Sequence, residues 1–160
     1  MERNWHRHIG SYGICAENGE ILVIKKVTGP YAGRYDLPGG GIKDNETILE
    51  GIKREILEET GYEISKIVNK GTYDFLAEAP YNGHTHTHHI ANFFIIEEAL
   101  KNKIRVNISE MIDENEVNDS AGIKWISIDN LNDKNSSPLL VVAKKIINKE
   151  KISSDIVMFS

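Results

Sequence analysis

The sequence predicts an α/β (α+β) fold: a mixed sheet covered by helices on two sides, in one domain over residues 1–160. Three observations carry this. Strand-like runs flank a strongly periodic helical stretch that ends at Thr60, and a second helix signal opens at Ser137-Pro138. The length of 160 residues suffices for one sizeable core and is short for two.

Taken in order, Ile9 to Ala16 and Ile21 to Val27 read as strands joined by Glu17-Asn18-Gly19-Glu20. Asn-Gly suits the positive φ angles of a tight hairpin turn. Thr28 to Tyr35 is a loop by its Gly and Pro content, and Asp36-Leu37-Pro38 leads into Gly39-Gly40-Gly41. The first helix is expected from about Glu46, capped by Asp44 or Asn45, with Ile48, Leu49, Ile52, Ile56 and Leu57 as its buried side. Gly61 is placed for the left-handed conformation that ends a helix. Gly51, inside the helix, reads either as close packing against a strand or as clearance for a ligand. Thr72 to Ala79 and His89 to Ile96 then read as strands around a polar loop, and 101–106 as either a strand or a turn. Glu110 to Ser120 is acidic and irregular, and Ile123 to Ile128 is a short strand. Ser137 and Pro138 cap and open a helix to about Lys149, and Ile156 to Phe159 is an apolar cluster that could pair or dock.

Composition narrows the classes. A net charge of −5 argues against gripping nucleic acid through a basic surface. The single cysteine, Cys15, excludes an intrachain disulfide framework and lies in an apolar run suited to a core thiol. No run approaches the roughly 20 apolar residues of a membrane helix, and the first residues lack the hydrophobic stretch of a signal peptide. A cytoplasmic location is expected.

The chemistry concentrates between Leu37 and Tyr62. Glu55, Glu58 and Glu59 stand at i, i+3 and i+4 in the last turns of the helix and so share one face. Like charges at these spacings cost about 0.2–0.5 kcal/mol per pair, and anions near a helix C-terminus oppose its dipole. Accepting both penalties points to carboxylates that hold cations. Three carboxylates offer hard oxygens suited to Mg²⁺ or Mn²⁺. The preceding glycines allow main-chain groups near a ligand, and an Arg54–Glu46 pair could brace the face. Metal-assisted attack of water on a phosphate fits this set.

The spacing goes further. Gly40, five residues, Glu46, seven residues, then Arg54-Glu55-Ile56-Leu57-Glu58-Glu59-Thr60-Gly61-Tyr62 resembles the box of the Nudix hydrolase (MutT-like) superfamily. Leu37-Pro38-Gly39 resembles the usual entry to that box, and Trp125 followed by Leu131 resembles a later strand and turn. The one departure is Tyr62, where Ile, Leu or Val is usual, at a position expected to pack. The resemblance implies a Nudix-type α/β/α sandwich with the box (40–62) helix on one face. It implies Glu55, Glu58, Glu59 and the Gly40 carbonyl as metal ligands, with Arg54 and Glu46 beside Glu55 and Glu58 in the catalytic apparatus. It also implies Mg²⁺, with Mn²⁺ as substitute, and cleavage of a diphosphate linkage in a nucleoside triphosphate, nucleotide sugar or dinucleoside polyphosphate. Homodimers are common in the superfamily.

The general base varies among such enzymes. Glu55 is the helix candidate here, and Glu116 and Asp119 are the candidates from the acidic loop. Lys25, Lys26 and Arg34 could meet phosphates, and His86 and His88, within the run His84 to His89, could reach the pocket. Two alternatives differ in class. One is a sensor of the same fold that binds a nucleotide or metabolite without cleaving it. The other is an isoprenoid diphosphate isomerase relying on Cys15, which lies far in sequence from the box.

Overall fold

The computed structural model describes residues 2–111 and 122–160. The chain enters along β1 (Trp5–Ile14), crosses at buried Cys15, and continues as β2 (Ala16–Glu17) into β3 (Glu20–Lys25). Asn18 and Gly19 turn this hairpin with φ angles of 54° and 77°, as the Asn-Gly signal requires. Next come β4 (Tyr35–Asp36), the glycine strand β5 (Gly39–Gly41) and helix α1 (Ile48–Thr60). A long hairpin follows, β6 (Glu63–Ala77) and β7 (His86–Lys101), then β8 (Ile104–Val106), β9 (Ile123–Ser127), α2 (Pro138–Ile147) and β10 (Met158–Phe159).

These strands form two sheets. The larger runs β10-β6-β7-β1-β5 with β8 on β7, and is mixed: β1 lies parallel to β7 and β10 parallel to β6. The smaller runs β2-β3-β4 with β9 on β3 and is antiparallel. One apolar cluster, around Tyr12, Phe93, Leu139 and Leu140, joins the strands to α2. A second, around Ile52, Ile56, Phe94 and Met111, joins them to α1. Cys15 lies in this second core, and burial pushes its thiol up to about 12, which makes it an inert packing group. Among the described residues no helix is long and apolar enough to cross a membrane.

The expected mixed α/β architecture is present, with local corrections. The α1 cap is Thr47, whose Oγ1 accepts from the Glu50 N–H at 3.1 Å, and not Asp44 or Asn45. The reason lies in Glu46: it sits outside the helix in a turn closed by its own N–H on the Lys43 carbonyl, free to fold back toward Arg54. Leu49 and Leu57 are 39% and 46% exposed, because α1 rests over edge strand β5 and its neighbour β1 and only a narrow stripe is covered. Gly51 is packing: a methyl there would come within 2.7 Å of Ile42 Cγ2. β6 and β7 are much longer than the alternation suggested, and residues 101–106 resolve into a turn at Asn102-Lys103 (φ 51° and 64°) and a short strand. α2 begins as expected, with Ser137 Oγ accepting from Leu140 N–H, but stops at Ile147. Tyr62 packs at 3% exposure and donates to the Glu110 carbonyl at 3.0 Å.

β5 is what positions the site. It pairs antiparallel with β1, Gly10 opposite Gly41 and Tyr12 opposite Gly39, and so is pressed between β1 and α1. Gly39 has φ 138°, and a Cβ on it would lie 2.2 Å from the Ser11 carbonyl oxygen and 2.8 Å from Tyr12 Cα. Those neighbours are backbone and cannot swing aside. Gly39→Ala is therefore expected to cost about 1–3 kcal/mol or more, readable as a lowered thermal midpoint.

Candidate active site

Arg54 is the hub of the carboxylate face. Its Nε and Nη2 donate to the two oxygens of Glu46 at 2.9 and 2.6 Å, and Nη2 also donates to the Gly41 carbonyl at 3.0 Å. Nη1 reaches Glu55 at 2.9 Å and Glu58 at 3.3 Å. One guanidinium thus ties the loop before the helix, the glycine strand and two of the three glutamates together, a use of five fixed donors that lysine could not match. The pair perturbs both partners. Hydrogen bonds from Arg54 hold the Glu46 carboxyl down to about 2, and Glu46 in turn pushes the Arg54 guanidinium further up.

Glu55 and Glu59 meet the glycine strand. A Cβ on Gly40 would lie 2.9–3.0 Å from the Glu55 carboxylate, so glycine here lets the backbone approach that carboxylate without pushing it aside. The Gly39 N–H is shared between the two Glu59 oxygens at 3.3 Å each. Burial, then the neighbouring charge of Glu55, raises the Glu59 carboxyl to about 8. Glu58 is 56% exposed and leans toward Arg54. Among the described residues no three acidic or imidazole groups already converge on one point. Nevertheless the donor set suits a hard divalent cation: hard oxygens on one helix face, a backbone strand held against them, and the buried Glu59 carboxyl beside both.

Beside this floor lies a cavity of about 200 Å³ lined by His8, Lys26, Tyr31, Asp36, Tyr81 and His89, among others. Its base is a buried chain: Tyr12 Oη lies 2.7 Å from His89 Nε2, and Tyr31 Oη lies 3.0 Å from His89 Nδ1. Burial drives the His89 imidazole down to about 3 and both phenols up, so all three are neutral at ordinary pH. One ring nitrogen then donates and the other accepts. Asp36 Oδ1 accepts from Leu37 N–H and from Ser137 Oγ at 2.6 Å, fixing β4 to the cap of α2. Its Oδ2 is buried without a hydrogen-bond partner among the described residues, and burial raises this carboxyl. A larger hollow of about 720 Å³ lies between β6, α2 and the tail, but none of the α1 glutamates lines it.

A family model described as the NUDIX domain matches residues 4–146. The chain belongs to the NUDIX family. Over 56 residues it is 41% identical to an ADP-ribose pyrophosphatase of Methanocaldococcus jannaschii, a match covering 35% of this chain and 33% of that one. Over 138 residues it is 28% identical to the nucleoside triphosphatase NudI of an Enterobacter species, covering 82% and 92%. The short matches span only a third or so of their relatives: besides the Methanocaldococcus protein, 38% of a putative 8-oxo-dGTP diphosphatase of Bacillus subtilis. Among solved structures, the MutT NUDIX hydrolase of Burkholderia pseudomallei superposes with a TM-score of 0.65 at 20% identity, over 88% of this chain and 97% of that one. That likeness concerns the fold.

Within this NUDIX fold the residues singled out from sequence fall into two groups. Gly40, Glu46, Arg54, Glu55, Glu58 and Glu59 gather around β5 and α1, and Lys26 lines the adjoining cavity. His86 and His88 do not join them. The cavity takes Thr87 and His89 from β7, and strand alternation turns His86 and His88 to the opposite face. There His86 meets the Trp5 ring at a tilt, centroids 4.9 Å apart, and bonds Thr85, and His88 pairs with Asp74 at 2.7 Å. Arg34 spends its guanidinium on the carbonyls of Asp133 and Ser136 and on the Phe159 ring. Glu116 and Asp119 lie outside the described residues. The histidine of this run that lines the cavity, His89, was distinguishable in sequence only by parity: it breaks the alternation of 84, 86 and 88.

Proposed function

We propose that this chain is a Mg²⁺-dependent NUDIX pyrophosphohydrolase that cleaves the diphosphate linkage of a nucleotide-type substrate. The observation that carries the reading is the Arg54 hub, which holds Glu55, Glu58 and Glu46 beside the glycine strand. Glu55, Glu58, Glu59 and the Gly40 carbonyl would hold the cation. A bound Mg²⁺, or Mn²⁺ in its place, would supply charge to a phosphate oxygen and a water of lowered pKa. Arg54 and Glu46 keep the carboxylates oriented, Glu55 is the candidate base on the helix, and Lys26 faces the phosphates from the cavity side. The cavity would seat the part of the substrate attached to the diphosphate. Relatives named for ADP-ribose and for nucleoside triphosphates make these the first substrates to try. The reading takes the protein as cytoplasmic, with a small molecule rather than nucleic acid or a membrane as its partner.

The raised Glu59 carboxyl sets a pH dependence. A ligating carboxyl must shed its proton, and Glu59 holds its proton up to about pH 8. Mg²⁺ affinity should therefore climb from pH 6 toward 8, by at most about tenfold per unit, and flatten above. Calorimetric titration at several pH values checks this, and a flat profile would remove Glu59 from the ligand set.

The function itself is tested by incubating the protein with ADP-ribose, nucleoside triphosphates and dinucleoside polyphosphates in Mg²⁺ and resolving products by chromatography. Nucleoside monophosphate and a phosphorylated remainder are expected from at least one. Tight binding with no product from any would instead favour a non-catalytic sensor.

A further inference from the structure

The C-terminal strand β10 lies behind one wall of the cavity, on the side of the larger hollow that Met158 and Phe159 line. Met158 and Phe159 pair with Leu76 and Ala77 of β6, and the Glu78 N–H donates to the Phe159 carbonyl at 2.8 Å. This register sets the Phe159 ring between two side chains of the loop joining β3 to β4. The Tyr31 ring meets it edge-on, centroids 5.4 Å apart, and the Arg34 guanidinium lies 4.8 Å from its centre. Arg34 is itself fixed to the turn before α2 through the carbonyls of Asp133 and Ser136. Three segments distant in sequence therefore meet at one ring.

The loop needs such an anchor. Its backbone bonds close on themselves: Gly33 N–H to the Lys26 carbonyl at 2.8 Å, Lys26 N–H to the Arg34 carbonyl at 2.9 Å, and Arg34 N–H to the Tyr31 carbonyl at 3.1 Å. Gly29 and Gly33 both have positive φ, 82° and 85°. Among the described residues, the loop's side-chain hydrogen bonds outward run through Tyr31, bonded to His89, and through Arg34. Tyr31 carries the effect inward to His89, whose ring lines the cavity.

We infer that Phe159 is a positioning residue for substrate recognition: it holds Tyr31, and through it His89, as the wall of the cavity. The inference rests on the reading of that cavity as the seat of the substrate's non-phosphate part. Phe159 stands behind the wall, its ring against Tyr31 and Arg34 rather than in the cavity, so its loss acts on binding and leaves the chemical step alone.

The test compares Phe159→Ala, Phe159→Tyr and Met158→Ala in the full chain, using whichever diphosphate substrate the wild type cleaves. Phe159→Ala is expected to raise KM about 3–10-fold, with kcat and the Mg²⁺ requirement kept. Phe159→Tyr, which retains the ring, should restore KM, and Met158→Ala, on the same strand but off the Tyr31 contact, should leave it alone. A readout independent of hydrolysis is the ¹⁵N resonance pair of the His89 imidazole, which should move in Phe159→Ala and stay in Met158→Ala. Unchanged KM and unchanged His89 resonances in Phe159→Ala would overturn the proposal, as would a fall in kcat at constant KM. If the wild type cleaves nothing, the hydrolase reading fails, while the His89 resonances still decide whether Phe159 sets the wall. Should Phe159→Ala melt too low to study, Phe159→Leu keeps the apolar contact without the ring and is read the same way.

Discussion

Glu59→Gln is expected to lower kcat/KM by about 10²–10³-fold while making the metal-free protein more stable at alkaline pH. Both effects follow from the same placement. The carboxyl is buried beside Glu55 and raised to about 8, above its ordinary value of 4.5. Below about 4.5 it is neutral whether the chain is folded or not, and glutamine changes little. Between about 4.5 and 8 the unfolded chain sheds this proton while the folded chain keeps it, so stability is lost across that window and the loss is complete once pH has risen through 8. Glutamine removes that cost, which is on the order of a few kcal/mol. Thermal melts in chelator at pH 4 and pH 9 should coincide in the first and separate in the second, with the variant higher. A residue that stabilises on removal yet is needed for turnover is one the fold keeps for function.

Arg54→Lys is expected to be nearly as damaging to activity, with a different signature. Lysine keeps the charge but cannot donate at once to Glu46, Glu55, Glu58 and the Gly41 carbonyl, as the guanidinium does. Loss of such an orienting partner typically costs about 10–100-fold in metal affinity or activity. Glu46 also loses the bonds that hold its carboxyl near 2, and so titrates closer to the ordinary range. Its acid-side stability is present above the unfolded value and lost as pH falls through the folded one, and Arg54→Lys should shrink that window. Steady-state kinetics with Mg²⁺ varied, together with melts between pH 2 and 5, would check both parts.

Much of this was legible from residue types with single physical meanings. Asn18-Gly19 could only be a hairpin turn, Ser137-Pro138 a helix start, and Gly61 a helix end. The box glutamates announced themselves by violating helix electrostatics. What could not be read was set by partners distant in sequence. Thr47 took the cap because Glu46 was claimed by Arg54, two turns on. Leu49 and Leu57 look apolar in the helical period but fall outside the stripe that an edge strand can cover. Strand parity around His84 to His89 depended on where β7 pairs with β1, which fixes His89 opposite His8 and turns its ring inward. Arg34 looked like a phosphate contact because its partners, two carbonyls near α2 and a ring in the tail, lie about a hundred residues away or more.

The central claim is that α1 and the glycine strand together hold a divalent cation. Mn²⁺ binding followed by electron paramagnetic resonance measures it without any assumption about substrate. The wild type should take up Mn²⁺ at neutral to alkaline pH and release it to excess Mg²⁺, and Glu58→Gln/Glu59→Gln should lose the site while keeping a cooperative melt. Equal Mn²⁺ uptake by wild type and the folded double variant would contradict the account.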